Sequence, residues 1–379
     1  MAERLAALEF SDRVARTITG PTRIPVRGVP TLPMPDHVLA AVSEAAARIF
    51  PRRTRGALDL RETIAEMIER AHRIPVDAET DLLITHGAQH GMSIALRALL
   101  APGDEVVVPS PTYFFDGMIR MAGAIPRYVT STAKTNWAID TSQVRAAITD
   151  RTRAIILCNP NNPTGNVPTV ERLSELLAIA DVYGLTIFSD ESYERYVHDG
   201  PGYTPLQALG GDRDRMVTVT SLSKNYAFTS WRIGYVHSTQ RTIDKIHAAF
   251  EWDAINVGDV PQAAATAVLT GPQQWLDIEF DTMKARRDTL YGALKAAGVP
   301  VSLPEAGIFM FADLGATGLA GVDLEDYLLD AGIVALSGHG FRGPNTHVRL
   351  LYGADMPDVE ALGARIADVV PCAKKTEPE

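Results

Sequence analysis

Hydrophobic and polar positions follow two alternating rhythms between about residues 85 and 236. Short apolar runs with the length of a β-strand occur at 105–109, 125–128, 154–158, 185–189, 216–220 and 231–236. Before and between these runs, at 89–100, 114–122 and 168–183, apolar residues recur at the three- to four-residue spacing of one helix face. Strands that alternate with helices in this way form parallel sheets that are covered on both faces. The pattern therefore predicts an α/β unit with a mostly parallel sheet.

A different pattern occupies the chain after this unit. It predicts a long helix over 273–297, strands at 308–313 and 347–352, and a last helix over 356–370. These elements would form a smaller α+β domain beside the α/β unit. A chain of 379 residues also exceeds the size of one ordinary hydrophobic core, which agrees with two domains.

Composition and charge narrow the classes of protein to which the chain can belong. It is 46% hydrophobic and 22% charged, as globular proteins are, and no apolar run approaches the ~18 residues of a membrane helix. The formal net charge of −10 argues against a nucleic-acid-binding surface. The N-terminus has no signal-peptide core, and Cys158 and Cys372 provide neither a disulfide framework nor a metal-binding set. We therefore expect a cytoplasmic protein without membrane, nucleic-acid or metal partners.

The most informative chemistry lies in residues 221–226, which read Ser-Leu-Ser-Lys-Asn-Tyr and come directly after an apolar run. Lys224 could form an imine with an aldehyde cofactor. Arg232, a short loop further on, could hold a phosphate with its planar set of N–H donors. On its own, such a segment is more often a strand end with a solvated lysine.

Three further segments favour the cofactor interpretation. Residues 159–165 read Asn-Pro-Asn-Asn-Pro-Thr-Gly after one apolar run, and residues 189–193 read Ser-Asp-Glu-Ser-Tyr after the next. Residues 85–89, Thr-His-Gly-Ala-Gln, open a helical pattern. All of them lie just past a strand or at a helix start, where open α/β sheets bind ligands. With the lysine segment, they resemble the fold-type I pyridoxal-phosphate enzymes, specifically the class I and II aminotransferases, over about residues 24–365.

The resemblance implies a site for pyridoxal 5'-phosphate built from these motifs. Lys224 would form the Schiff base and carry the proton, and Asp190 would keep the pyridine nitrogen protonated, so these two are the predicted catalytic residues. The other predicted cofactor contacts are Ala88, Gln89, Ser221 and Arg232 at the phosphate, the stacking ring of Tyr113, and Asn162 and Tyr193 at the ring hydroxyl. The predicted substrate contacts are Arg349 at the carboxylate, Gly28 closing over the amino acid, and Asn162. Taken singly, such residues also have ordinary structural roles, for example in a turn, a helix cap or a core.

The same resemblance implies how domains and subunits assemble. It places the large cofactor-binding domain at residues 50–285 and builds the small domain from both chain ends, residues 1–49 and 286–379. It also implies a homodimer with composite active sites, to which both subunits contribute.

Four departures from the family pattern bear on the reaction. The usual tyrosine before a Gly-x-x-x-Leu-Arg segment is missing, and Arg52, Arg53 and Arg55 stand there instead. The loop 227–232 lacks the usual glycines, residues 28–31 read Gly-Val-Pro-Thr in place of Gly-x-Pro-Asp, and the tract 251–259 is unusually acidic. These changes leave cofactor binding intact, but they weaken the inference to ordinary transamination.

These residues are compatible with three functions to different degrees. The leading hypothesis is an aminotransferase that acts on an α-amino acid through an external aldimine and releases a 2-oxo acid. The alternative is another pyridoxal-phosphate reaction on the same scaffold, such as elimination, replacement, cyclisation or oxidation, because all of these share one carbanion and the pocket decides its fate. A regulator that uses the fold as a sensor is disfavoured, because such proteins carry an N-terminal DNA-binding domain and only about 25 residues precede the match.

Overall fold

The predicted alternation of strands and helices is present in the computed structural model, which describes residues 32–48 and 53–370. The strands are β1 Leu82–Thr85, β2 Glu105–Ser110, β3 Ile125–Thr130, β4 Thr152–Cys158, β5 Thr186–Asp190, β6 Met216–Ser221, β7 Gly234–His237, β8 Phe309–Asp313, β9 Leu336–Ser337 and β10 His347–Leu351. The α-helices are α1 Asp36–Ala46, α2 Leu58–His72, α3 Gly87–Leu99, α4 Phe115–Met121, α5 Thr141–Ala146, α6 Val170–Tyr183, α7 Leu222–Asn225, α8 Gln240–Asp253, α9 Asp259–Thr270, α10 Gln274–Ala296, α11 Gly321–Asp330 and α12 Met356–Val369.

Seven strands form the large sheet in the order β1-β7-β6-β5-β4-β2-β3. Strands β2 to β6 pair in parallel, whereas β7 is antiparallel to both of its neighbours. Every residue of β2 and β6 is buried, as expected for inner strands of a sheet that is covered on both faces. The predicted α/β fold with a mostly parallel sheet is confirmed.

The order of the strands creates a crevice between β2 and β4. The chain passes from β2 to β3 on one side, and then returns to β4 and continues to β5 and β6 on the other side. Ligands of open α/β sheets bind at such reversals, outside the carboxyl ends of the strands. Cys158 and Asp190, the last residues of β4 and β5, lie side by side in register at this edge.

The second sheet has the antiparallel order β8-β10-β9. Its core contains residues of α10 and α12, and also Tyr193 and Tyr196 from the loop after β5. The segment before β8 is bound to the loop after β4, because the backbone amides of Glu305 and Ala306 donate to the carbonyl of Gly165. The smaller α+β unit is thereby fixed against the edge of the large sheet that carries the crevice.

Helix α1 packs against α9, and Val38 of this helix belongs to the same hydrophobic core as the large sheet. The predicted division of the chain, with residues 50–285 apart from residues 1–49 and 286–379, stays a prediction. None of the described helices is long and apolar enough to cross a membrane.

Candidate active site

A cavity of about 370 Å³ opens at the carboxyl ends of the parallel strands. Its lining includes every predicted site residue within the described ranges: Ala88, Gln89, Tyr113, Asn162, Asp190, Tyr193, Ser221, Lys224, Arg232 and Arg349. Gly28, the other predicted substrate contact, lies outside the described residues. Side chains from four strand ends, from the start of α3 and from β10 therefore converge on one space.

Lys224 occupies the short helix α7, directly after β6. The side chain of Ser221 caps this helix by accepting a hydrogen bond of 3.1 Å from the backbone amide of Ser223. Burial, together with the positive charges of Arg349 and Arg232, lowers the pKa of Lys224 from 10.5 to about 7. An amine with this pKa is largely neutral just above neutral pH, and is therefore able to act as a nucleophile.

In the same cavity as this lysine, the start of helix α3 forms a cradle that could hold an anion. Gly87 has a φ of +79°, and a Cβ atom there would lie 2.8 Å from Nη2 of Arg232. On the other side of the cradle, a Cβ atom on Gly234 would lie 2.7 Å from the backbone nitrogen of Ala88. Free amides and the dipole at a helix start favour an anion, and a guanidinium group reinforces them. The absence of a side chain therefore lets Arg232 approach residue 87 and lets the backbone of residue 234 approach the amide of Ala88.

The loop that carries Arg232 keeps left-handed backbone conformations without the glycines usual in the family. Ala227 and Arg232 both have a φ of +55°, a conformation that glycine adopts at no steric cost. The rings of Phe228 and Trp231 stack with centroids 5.4 Å apart and brace the loop. Nη1 of Arg232 donates to the carbonyl of Thr229 at 3.1 Å. The guanidinium group is therefore held by its own loop.

Asp190 lies at the end of β5 and lines the same cavity as Tyr113. One carboxylate oxygen accepts hydrogen bonds from the backbone amide of Ser192 at 3.1 Å and from its hydroxyl at 2.6 Å. Burial raises the pKa of Asp190 above its ordinary value. A cationic group placed against this carboxylate would offset that penalty and keep the carboxylate charged.

Arg349 projects from β10 towards the loop after β4. Its Nη1 donates to Oδ1 of Asn162 at 3.1 Å, and its Nε is buried without a hydrogen-bond partner. Burial lowers the pKa of Arg349, although a guanidinium group stays charged in proteins. A charged fork with an unused donor is suited to a carboxylate ligand, which accepts two parallel hydrogen bonds.

Several lining residues were not anticipated from the sequence. They are Phe114, Cys158, Ser192, Ser223, Thr229 and Leu351. Most of them lie within or next to the quoted motifs, and Leu351 is two positions after Arg349, on the same face of a strand. Two features of the sequence could have identified these lining residues: their proximity to the quoted motifs and the two-residue period of a strand.

The arginines that stand in place of the family tyrosine have partners within their own chain. Arg53 pairs with Glu79, and Arg55 pairs with Asp244. Arg52 lies outside the described residues. The acidic tract is also partly neutralised, because Asp253 pairs with Arg97 at 2.7 Å and with His90 at 3.0 Å.

Among the residues that the structure describes, no group of three or more His, Cys, Asp or Glu side chains could hold a metal ion. The charged and polar groups that line the cavity are instead an amine, a helix start, two guanidinium groups and a carboxylate. This set is suited to an anionic organic ligand with a carbonyl group.

Comparison with known proteins gives one consistent result. The family described as aminotransferase class I and II matches residues 30–366. An aromatic-amino-acid aminotransferase of Thermococcus litoralis is 27% identical over 350 residues, with 90% of each chain covered. A probable aspartate aminotransferase of Methanocaldococcus jannaschii is 30% identical over 358 residues, with 89% of this chain and 90% of the relative covered.

Solved structures agree with the sequence relatives. Aspartate aminotransferase from Thermus thermophilus with maleate has a TM-score of 0.91 and 27% identity, with 97% of both chains covered. An aromatic aminotransferase from Pyrococcus horikoshii has a TM-score of 0.88 and 27% identity, with 95% of this chain and 98% of the other covered. All four are named as aminotransferases, so they give no support to the alternative of elimination, replacement, cyclisation or oxidation. The chain belongs to the class I and II aminotransferases, and it is a pyridoxal-phosphate-dependent transferase of amino groups.

Proposed function

We propose that pyridoxal phosphate attaches to Lys224 and that the protein transaminates an α-amino acid in the cavity around this residue. The observation that carries the proposal is the convergence of an amine whose pKa is about 7 with a helix start, Arg232, Asp190 and Arg349. Such a strongly lowered lysine pKa is typical of an amine prepared for imine chemistry.

The residues present fit the cofactor at each of its polar ends. Ala88, Gln89, Ser221 and Arg232 would hold the phosphate, Asp190 would face the pyridine nitrogen, Tyr113 would stack on the ring, and Asn162 and Tyr193 would contact the ring hydroxyl. The close approach of Arg232 to Gly87 leaves a cradle of amides and guanidinium for the phosphate. A pyridinium cation against Asp190 would compensate for the burial of this carboxylate.

The chain would then supply binding and proton transfer. Bound pyridoxal phosphate supplies an aldehyde for the amino group and a ring that accepts the electron pair left at the substrate Cα. Arg349 would hold the substrate carboxylate in a fixed orientation, with Asn162 beside it. Lys224, once it is free of the cofactor, would take the proton from Cα, because its amine is neutral near physiological pH.

Borohydride reduction followed by peptide mapping tests this assignment. The reduced cofactor should be recovered on the peptide that contains Lys224 and on no other peptide. Lys224→Ala should lose amino transfer, whereas Lys134→Ala, a change at an exposed lysine, should retain it. Labelling of a different lysine, or turnover by Lys224→Ala at the parent rate, would contradict the proposal.

We further propose that the protein is a homodimer with composite active sites. Two large apolar side chains support this, since Trp252 is 95% exposed and Ile255 is 65% exposed around the end of α8. Large exposed apolar side chains that lie close together in the chain are more common at protein interfaces than on free surfaces. Light scattering and activity measured together over a dilution series test the proposal, and a fully active monomer would refute it.

In this dimer, Arg52 would replace the missing tyrosine at the partner's cofactor phosphate. We assign this role to Arg52 because Arg53 and Arg55 are already paired with acidic residues of their own chain. A charge-assisted contact of this kind contributes roughly 1.5–3 kcal/mol, so Arg52→Ala should weaken cofactor binding about tenfold to a hundredfold. Arg53→Ala is the matched control. Equal cofactor dissociation constants for the two variants would refute the assignment.

We also infer a cytoplasmic location. The described thiol, Cys158, is free and buried, and the whole chain has two cysteines. Cell fractionation tests the inference, and recovery of the protein in a secreted fraction would contradict it.

A further inference from the structure

The wall of the cavity beside Arg349 is aromatic. Phe114, which precedes α4, lines the cavity together with Leu351. The ring of Phe114 stacks on that of Phe341, with centroids 4.9 Å apart and an interplanar angle of 29°. We propose that this aromatic wall, Phe114 backed by Phe341, receives the substrate side chain, so that the enzyme prefers aromatic or large apolar amino acids. The inference rests on the proposed function and defines the class of its substrate.

The aromatic wall is fixed in place by contacts outside the cavity. The backbone amide of Thr112 donates to the carbonyl of Phe341 at 2.9 Å. The ring of Phe341 also packs edge-on against Phe311, with centroids 6.2 Å apart. The next residue, Arg342, pairs with Asp116 of α4 at 3.2 Å. These contacts join the segment around Phe114 to the segment around Phe341. The wall is therefore already ordered before a ligand binds, and binding costs little conformational entropy there.

The aromatic wall is adjacent to the predicted carboxylate-binding group. The guanidinium carbon of Arg349 lies 4.8 Å from the ring centroid of Phe341. Phe341 therefore contacts Arg349 and Phe114 at the same time. An α-amino acid carries its carboxylate and its side chain on one carbon atom. A substrate held by Arg349 is thus close enough to place a ring-sized side chain against Phe114.

The charges of the cavity argue against an acidic substrate side chain. Among the described lining residues, the cationic ones are Lys224, Arg232 and Arg349. The proposed function assigns these to the imine, the cofactor phosphate and the substrate α-carboxylate. In the described lining that one subunit supplies, no further cationic residue is left for a second carboxylate. The neutral hydroxyl of Ser223 is also committed, since it accepts a hydrogen bond of 3.2 Å from Arg232.

Steady-state kinetics of Phe114→Ala test the role of the wall. We expect the ratio of kcat/KM for phenylalanine to kcat/KM for alanine to fall about tenfold to a hundredfold, because apolar pockets discriminate to this extent. The matched control is Met121→Ala, at the end of α4, where the side chain is 67% exposed. Its ratio should equal that of the parent. Phe114→Leu, which keeps much of the bulk, should show a smaller fall.

Binding without turnover gives a second test on the parent holoenzyme. By calorimetry, 3-phenylpropionate, which has one carboxylate and a ring, should bind at least about tenfold more tightly than succinate, which has two carboxylates. Tighter binding of succinate, a higher kcat/KM for aspartate than for phenylalanine, or an unchanged ratio in Phe114→Ala would overturn the inference while transamination stands. If no amino acid transfers its amino group, the proposed function fails, and the inference fails with it.

Discussion

Replacing Lys224 by methionine should stabilise the cofactor-free protein at neutral pH, and this effect should disappear in alkali. Methionine keeps much of the length of the lysine stem but removes the amine. In the folded protein, burial, Arg349 and Arg232 lower the pKa of Lys224 from 10.5 to about 7. Since the unfolded chain keeps an ordinary lysine, it binds more protons than the folded chain between these two values. The stability of the parent therefore rises with pH across this window, and it is lowest below the window.

The size of the effect is set by the two pKa values. The difference between 10.5 and about 7 corresponds to a free-energy penalty of roughly 5 kcal/mol for the charged amine in the folded protein, at ~1.4 kcal/mol per pH unit. Lys224→Met should thus exceed the parent in free energy of unfolding by about 5 kcal/mol below pH 7 and by about 3 kcal/mol near pH 8.5. The difference should vanish above about pH 10.5. Water that reaches the partly buried amine reduces these figures, so they are upper values.

Urea denaturation of both cofactor-free proteins between pH 6 and 10.5 measures the difference. Other titrating groups are common to the two proteins and cancel. Lys134→Met, at an exposed position, should differ from its parent by no more than about 0.5 kcal/mol at every pH. A difference between Lys224→Met and the parent that is the same at neutral and alkaline pH would refute the reasoning.

Further substitutions separate the roles of the other site residues. Asp190→Asn should retain the cofactor but lower kcat at least about a hundredfold, because a preorganised charge is removed while the shape is kept; steady-state assay of the holoenzyme checks this, and a near-parent rate would make Asp190 structural. Arg349→Lys should raise KM for the amino acid about tenfold or more and leave the dissociation constant of the cofactor unchanged, because the two-pronged contact is lost; an unchanged KM would exclude a carboxylate contact. Gly87→Ala and Gly103→Ala both place a side chain at positive φ, at +79° and +91°, but only the former brings a Cβ within 2.8 Å of Arg232, whereas nothing lies within 4 Å of the latter. Both should lose about 1–2 kcal/mol of stability, and only Gly87→Ala should weaken cofactor binding in a fluorescence titration; equal affinities would argue against the cradle.

The regular elements were predictable because their apolar periods are long and uninterrupted. The strand predicted at 105–109 is β2, and the helix predicted at 273–297 is α10 Gln274–Ala296. The strand predicted at 231–236 was only partly right, because Gly234–His237 forms the strand and Thr229–Trp231 forms a 3-10 turn. Apolar residues that brace a loop through ring stacking resemble a buried strand when only the sequence is read.

The convergence of the proposed cofactor-binding residues on one cavity was predictable, because these residues are grouped in short segments at strand ends. Lys224 and Arg232, for example, are only eight positions apart in the chain, and both line the cavity. The contact between Phe114 and Phe341 was not predictable, because it joins segments far apart in the chain through the packing of two sheets. The pairing of Arg55 with Asp244 has the same long-range origin. Local sequence patterns therefore predicted which residues line the cavity, whereas the aromatic contact depends on the tertiary arrangement.

Transfer of an isotopic label tests the central claim most directly. The holoenzyme would be incubated with 15N-phenylalanine and an unlabelled 2-oxo acid, and the products would be identified by mass spectrometry. The account predicts that the label appears in the amino acid formed from the added oxo acid, with phenylpyruvate in equal amount and without free ammonia. Release of the label as ammonia, or formation of more than one equivalent of phenylpyruvate per active site in the absence of the second oxo acid, would contradict it.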